Sequence, residues 1–390
     1  MVVSHPGAAK GMMKRMNIRL AANAEVKEVP APARRKTRLD RFLEDDPTLA
    51  ATYSKIRKHA PKIVISGYDI TKRCNLRCEG CFFFEGDLSA VYPDNHTIEE
   101  YEEFFGKEQS RGVTYPHFAG AEPALVQDRL RLANKYWKNG LIYTNGTVKI
   151  DPDISFMLHV SLWGNEETDK LYRGAPVFKR GIKNYAGEER AIFMYTMNHQ
   201  NIDFILDLVK MCRDNGNRIS FNHYSPSRQY NEKLRSTDAA EHHDSRSTFR
   251  FSTADNNLRL TPDDLKRIRD ILDGAIEDYP ETVVYSHYYN EWINNPKGRY
   301  DVDAKTGWAT NCVILNKAYH RQYHTDFSYS DAECCVANID CYSCRHYVAG
   351  YTMVMDKFYQ HLETKETFSN WLDVYDTWCR LHFRGWDNLE

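Results

Sequence analysis

Residues 74–81 read Cys-Asn-Leu-Arg-Cys-Glu-Gly-Cys, three cysteines with three and then two residues between them. At that spacing the thiolates of Cys74, Cys78 and Cys81 can wrap one face of a cubane iron–sulfur cluster. Four irons need four ligands, so one iron stays open for a ligand that is not protein. Phe82-Phe83-Phe84-Glu85 comes next, and no further cysteine occurs before Cys212. An open iron beside an apolar shelf implies a bound cofactor. Two plainer readings fit less well. Structural zinc takes four close ligands, yet His96 is the nearest histidine downstream and no Cys-x-x-Cys lies nearby. Three cysteines in one tight loop also suit disulfides poorly.

A second set comprises Cys312, Cys334, Cys335, Cys341 and Cys344. Cys341-Tyr-Ser-Cys344 is a two-ligand clip, and Cys312 with Cys334 or Cys335 completes four donors. Zinc and an iron–sulfur cluster both accept four thiolates, so the donors alone leave the metal open. Cys212, on an expected helix, is most simply a core residue.

The stretch Tyr-Asp-Ile-Thr-Lys-Arg-Cys-Asn-Leu-Arg-Cys-Glu-Gly-Cys at 68–81 resembles the signature loop of radical S-adenosylmethionine (SAM) enzymes. The family usually has an aromatic residue before the third cysteine. This chain has Gly80 there and Phe82 directly after, which bears on how the adenine of SAM packs. Phe-Ala-Gly-Ala-Glu-Pro at 118–123 resembles the family's Gly-Gly-Glu-Pro turn, with Ala121 for the second glycine. The resemblance implies that Gly120, Ala121, Glu122 and Pro123 meet the methionyl end of SAM. Asn145, Ser161 and Arg173 follow in the order expected of ribose and carboxylate contacts. The similarity covers about residues 62–226.

From that likeness follow a [4Fe-4S] cluster with an open iron, bound SAM and a flavodoxin- or ferredoxin-type electron donor. A reduced cluster would pass one electron to the sulfonium, and a 5′-deoxyadenosyl radical would take hydrogen from unactivated carbon. The second cysteine set resembles a small C-terminal module with an auxiliary cluster, favoured in this frame over zinc. The spare thiol, carried as Cys335, is a candidate hydrogen donor to a substrate radical. Its ordinary role is structural.

These residues need a frame to hold them. Strand patterns occur at 63–70, 115–119, 141–144, 157–162, 191–197 and 218–223. Helical patterns lie at 126–137 and 201–215, and Thr97 to Glu100 forms a capping box. Alternating strand and helix predicts an α/β fold with a parallel sheet. Six units suggest a partial (β/α)6 TIM-like barrel with ligands at the C-terminal strand ends, plus a small cysteine-rich C-terminal module. The expected divisions are a basic arm at 1–45, the barrel at 46–300 and the module with a helical tail at 301–390. The arm reads as flexible or as a helix leaning on the body, with an amphipathic stretch at 12–20. Residues 227–258 are polar and read as a loop, a lid or disorder. Thr261-Pro262 starts a helix, and 283–287 reads as one more strand.

Composition narrows the class. The chain has 390 residues, 42% hydrophobic and 27% charged, with a formal net charge of −2. That balance suits a large enzyme and carries no nucleic-acid footprint. No apolar run approaches membrane-spanning length, and no signal-peptide pattern opens the chain. Ten clustered cysteines point to metal in a reducing compartment, here the cytoplasm. The arm is too short and strand-poor for a peptide-binding domain, which favours a small-molecule substrate such as a sugar, aminocyclitol, nucleoside or lipid intermediate. The alternatives are a radical SAM maturase of a peptide or protein side chain, and a non-catalytic iron–sulfur or zinc protein. Oligomeric state is not legible.

Overall fold

The computed structural model describes residues 36–60, 63–85, 92–236, 248–316, 320–331, 334 and 338–389. Most of the expected arm, including 12–20, lies outside these residues, as does Cys335. Residues Arg38–Glu390 form one compact unit.

Six strands carry the site: β1 (Ile65–Asp69), β2 (Tyr115–Ala119), β3 (Leu141–Thr144), β4 (Met157–Leu162), β5 (Ala191–Met197) and β6 (Arg218–His223). Each pairs in parallel with the next in sequence. Their residues are buried almost without interruption. A parallel strand covered on both faces shows this pattern, where a half-exposed strand would alternate. Helices Ile98–Ser110, Gln127–Tyr136 and Ile205–Asp214 lie between strands. Thr97 accepts from the Glu100 amide while the Glu100 carboxylate accepts from the Thr97 amide, so the expected capping box is complete. Thr261 and Asp264 form the same box at the start of helix Pro262–Asp278.

Three features differ from expectation. The sheet runs on past β1 into β7 (Arg321–Tyr323, parallel to β1) and β8 (Tyr329–Asp331, antiparallel). Three residues with Arg and Gln at the front give too little periodicity to mark a strand. Second, residues 228–235 of the polar stretch form a helix capped by Ser227. Its Tyr230 and Leu234, one turn apart, join Tyr172, Tyr224, Phe249 and Leu258 in an apolar group of their own. Third, the 283–287 segment makes one bridge, Val283 to Ile219. Ser286 then accepts from the Tyr289 amide and turns the chain into helix His287–Ile293.

The last residues of the expected arm, Arg38–Asp45, are helical. Helix Lys365–His382 sends its end beneath the sheet, where Tyr115 Oη donates to the His382 carbonyl and His159 Nε2 lies 3.0 Å from that of Leu381. Among the described residues no helix is long and apolar enough to cross a membrane.

Candidate active site

Cys74, Cys78 and Cys81 follow β1 and line a cavity of about 300 Å3 at the C-terminal ends of the strands. Gly80, Phe82, Gly120, Ala121, Glu122, Asn145, Ser161 and Arg173 line it too. Five separate stretches of sequence are thus brought to one place. Pro123 is the exception: it opens a short 3-10 turn, buried beside the cavity and not among its lining.

Local hydrogen bonds set the cysteine loop. The Cys81 amide donates to the Cys78 carbonyl (3.2 Å), and Gly80 takes φ +61° between them. A Cβ at Gly80 would sit 1.9 Å from Tyr224 Oη, so the aromatic residue common at this position cannot be accommodated here. Asn145 Nδ2 lies 3.7 Å from Cys74 Sγ and donates to Asn75 Oδ1 (2.9 Å). Asn145 therefore ties the end of β3 to the first thiol.

Gly120 has φ +107°, and a Cβ there would meet the Thr71 carbonyl at 2.8 Å. This close approach lets the Ala121 amide reach the same carbonyl (2.8 Å) and fixes the β2 turn against β1. Gly120→Ala should cost about 2 kcal/mol through backbone strain and contact, read as a lowered midpoint in thermal unfolding. Glu122 is 1% exposed and acts as a bracket. Oε1 accepts from the Ala124 amide (3.0 Å) and Thr144 Oγ1 (2.7 Å), and Oε2 from the Asn145 amide (2.7 Å). Burial nevertheless raises its pKa, against these bonds. Glu122→Gln would oppose an amide N–H to the Asn145 N–H or leave one donor unpaired. About 1–3 kcal/mol of stability should be lost, measured by denaturant unfolding.

Arg173 is 2% exposed and donates to the carbonyls of Ser161 (3.2 Å) and Asn145, joining the ends of β4 and β3. Asp169 pairs with it at 3.2 Å, and burial still lifts that carboxyl to about 6. Arg173 Nε and Asp169 Oδ1 are buried without hydrogen-bond partners among the described residues. A buried donor left open in a cavity wall fits an anionic ligand group.

The three thiols are equally telling. Burial pushes Cys74 up to about 11 and Cys81 up to about 12, and raises Cys78 against the pull of Arg173. They would not ionise together without positive charge such as iron supplies. Among the described residues no three His, Cys, Asp or Glu side chains converge tightly enough for a single ion. Three thiols on one loop with a fourth position left to another ligand are the donor set of a cubane cluster more than of a structural zinc ion.

Cys312, Cys334, Cys341 and Cys344 line a second, smaller void of about 20 Å3. Burial raises Cys312 to about 11 and drives up Cys341 and Cys344 as well. Ile314, Ile339 and His346 line both voids, so the two cysteine sites share a wall. Phe82 packs against the apolar group that contains Cys312, Cys341 and Cys344 while lining the first cavity. Phe83 is buried, and Phe84 carries the Arg77 guanidinium at 4.0 Å. Cys212 is fully buried in the main core.

Two features were not visible in the motifs. One is a set of histidines in the cavity wall, His117, His159, His223 and His320 buried and His346 half-buried. Burial lowers His117 and His223 to about 3 and His159 and His346 to about 4, so these rings are neutral. The other is a clamp on the cysteine loop. Glu79, 0% exposed, accepts from the amides of Arg250 (2.8 Å) and Ser252 (3.2 Å), and the Gly80 amide donates to the Thr248 carbonyl (2.6 Å). Only the order of strand and histidine could have hinted at the first. Nothing in spacing marks the second.

No family model matches the chain. Fe-coproporphyrin III synthase of Methanosarcina barkeri is 28% identical over 178 residues, 42% of this chain and 43% of that protein. The match thus spans less than half the length of this curated relative. SuiB of Streptococcus suis bound to S-adenosylmethionine is similar in structure with TM-score 0.46 and 14% identity, over 73% of this chain and 67% of that one. For anSMEcpe with bound AdoMet the TM-score is 0.47 at 15% identity, over 74% and 80%.

Proposed function

We propose a function from one premise: this chain belongs to the radical S-adenosylmethionine superfamily. In this proposal Cys74, Cys78 and Cys81 hold a [4Fe-4S] cluster with an open iron, and SAM binds beside it. When bound, the two supply reductive cleavage of SAM and a 5′-deoxyadenosyl radical that abstracts hydrogen from the substrate. The chain's residues do the positioning. Arg173 offers its unpartnered Nε to a carboxylate, and Asn145 steadies Cys74. Gly120 and Ala121 put little side chain between backbone and ligand, while Phe82 and Phe83 keep water from the reacting centre. Serving SAM through Ser161 remains part of the proposal. The observation that carries it is the convergence of three cysteines and the strand-end residues on one cavity.

The second cysteine set is proposed to hold an auxiliary cluster, with zinc as the alternative. Its shared wall with the first cavity supports an electron-transfer role. Cys335, the candidate hydrogen donor, stays a proposal from sequence. The electron source is a flavodoxin- or ferredoxin-type protein. The clustering of the cysteines supports a reducing, cytoplasmic setting. The substrate is a small molecule. The name of the curated relative favours a tetrapyrrole as a second reading.

The test is iron, sulfide and zinc content of anaerobically prepared protein, then 5′-deoxyadenosine formed with SAM and dithionite. About eight irons per chain with 5′-deoxyadenosine formed supports two clusters. About four irons and one zinc keeps the radical site and makes the C-terminal site structural. No iron and no cleavage overturns the proposal.

A further inference from the structure

Among the described residues lining the main cavity, Glu122 and Arg173 are the only charged ones. Glu122 is saturated by three donors. The remaining polar wall is neutral, made of histidines, tyrosines, amides and hydroxyls. The histidine rings differ in how they are held. His159 uses both nitrogens, on Tyr347 Oη (2.6 Å) and the Leu381 carbonyl (3.0 Å). His117 Nδ1 faces Tyr143 Oη at 3.0 Å.

His223 is different. It ends β6, is 1% exposed and lines the cavity. Its Nε2 lies 2.8 Å from Asn294 Oδ1. The direction of that bond is fixed from behind. Asn290 Nδ2 donates to the Arg269 carbonyl (2.9 Å) and Asp273 Oδ1 (2.9 Å), groups that only accept. Asn290 Oδ1 is then an acceptor, and Asn294 Nδ2 donates to it at 2.8 Å. Asn294 therefore presents its oxygen to the imidazole, and His223 Nε2 must carry the proton. Nδ1 then carries the lone pair of the ring.

We propose, resting on the function above, that His223 Nδ1 is the receiving atom of a substrate subsite for an uncharged ligand that donates a hydrogen bond, a hydroxyl first of all. The relay through Asn294 and Asn290 serves to hold that lone pair toward the ligand. A buried imidazole pushed down to about 3 keeps it unprotonated at neutral pH. A carboxylate at Nδ1 would set its own lone pairs against that of the ring. The subsite thus favours a hydroxyl over a carboxylate at this one atom.

The experiment is nitrogen NMR of the full chain labelled with [15N]histidine, with His223→Gln assigning the resonance. Glycerol and propionate are the probes. The expected spectrum has His223 protonated at Nε2 only, and glycerol moves its Nδ1 signal upfield while propionate does not. Asn294→Ala should mix the tautomers. A proton on Nδ1, a response to propionate alone, or no response to either probe overturns the inference. Iron content and 5′-deoxyadenosine formation are read separately, so loss of the radical reading and loss of the subsite are distinguishable.

Discussion

Cys78→Ala protein should yield no 5′-deoxyadenosine from SAM and dithionite, a fall below about one-thousandth of wild type, or about 4 kcal/mol of barrier. The middle thiol is half-buried in the cavity wall and lies within the field of Arg173, and it is one of three proposed to share one metal assembly. Two thiolates cannot hold a cubane that three hold only with an open corner. The expected loss is specific. Cys78 lies outside the three apolar groups that hold the fold, so the melting temperature should move little. Iron should fall by the share of one cluster while the C-terminal site keeps its metal. A variant that cleaves SAM at the wild-type rate would remove the cysteine loop from the chemistry. Loading carries a pH dependence of known sign. The thiols sit above their ordinary range because burial disfavours the thiolate, so metal must displace protons. Iron uptake should therefore improve from neutral to mildly alkaline buffer.

Much of this site was legible before any fold was known, for a physical reason. A metal loop concentrates its ligands within eight residues, and parallel strands buried on both faces write themselves as short apolar runs. Strands β2 to β6 fall at the residues the pattern marked. What could not be read is built across distance. The relay from His223 uses Asn294 and Asn290, one turn apart at the end of helix His287–Ile293, and Asp273 on helix Pro262–Asp278, all ordinary polar residues in the sequence. Strand β7 is recruited by its neighbour, with Gly67 and Tyr68 pairing to Gln322 and Tyr323, and has no period of its own. The polar segment 227–258 looked featureless because its apolar residues, Tyr230, Leu234, Phe249 and Leu258, are few and spread. They suffice once Tyr172 and Tyr224 join them.

That same segment supplies the second large effect, expected for Arg250→Ala. Glu79 stands between two of the proposed cluster ligands and is fully buried, so its carboxylate must be satisfied by protein. Arg250 does this through its amide at 2.8 Å and through its guanidinium at 4.0 Å. The guanidinium also donates to the carbonyls of Arg77, Leu171 (2.9 Å) and Tyr172 (3.3 Å), so one side chain pins the cysteine loop to helix Glu166–Arg173. Truncation keeps both amide donors to Glu79 but removes its ion-pair partner at 4.0 Å and leaves three carbonyls short of donors, a loss of about 3 kcal/mol. The radical-site iron should leave on desalting while the C-terminal metal stays. Arg250→Lys keeps the charge without the planar fork and should retain an intermediate share. Glu79→Gln tests the charge, at the cost of setting one amide N–H against the Arg250 or Ser252 N–H. With a negative charge removed beside the proposed cluster, the reduced state becomes easier to reach, and a redox titration followed by electron paramagnetic resonance should show a higher midpoint potential. If Arg250→Ala holds wild-type iron and Glu79→Gln leaves the potential unmoved, the clamp neither positions the loop nor tunes what it carries.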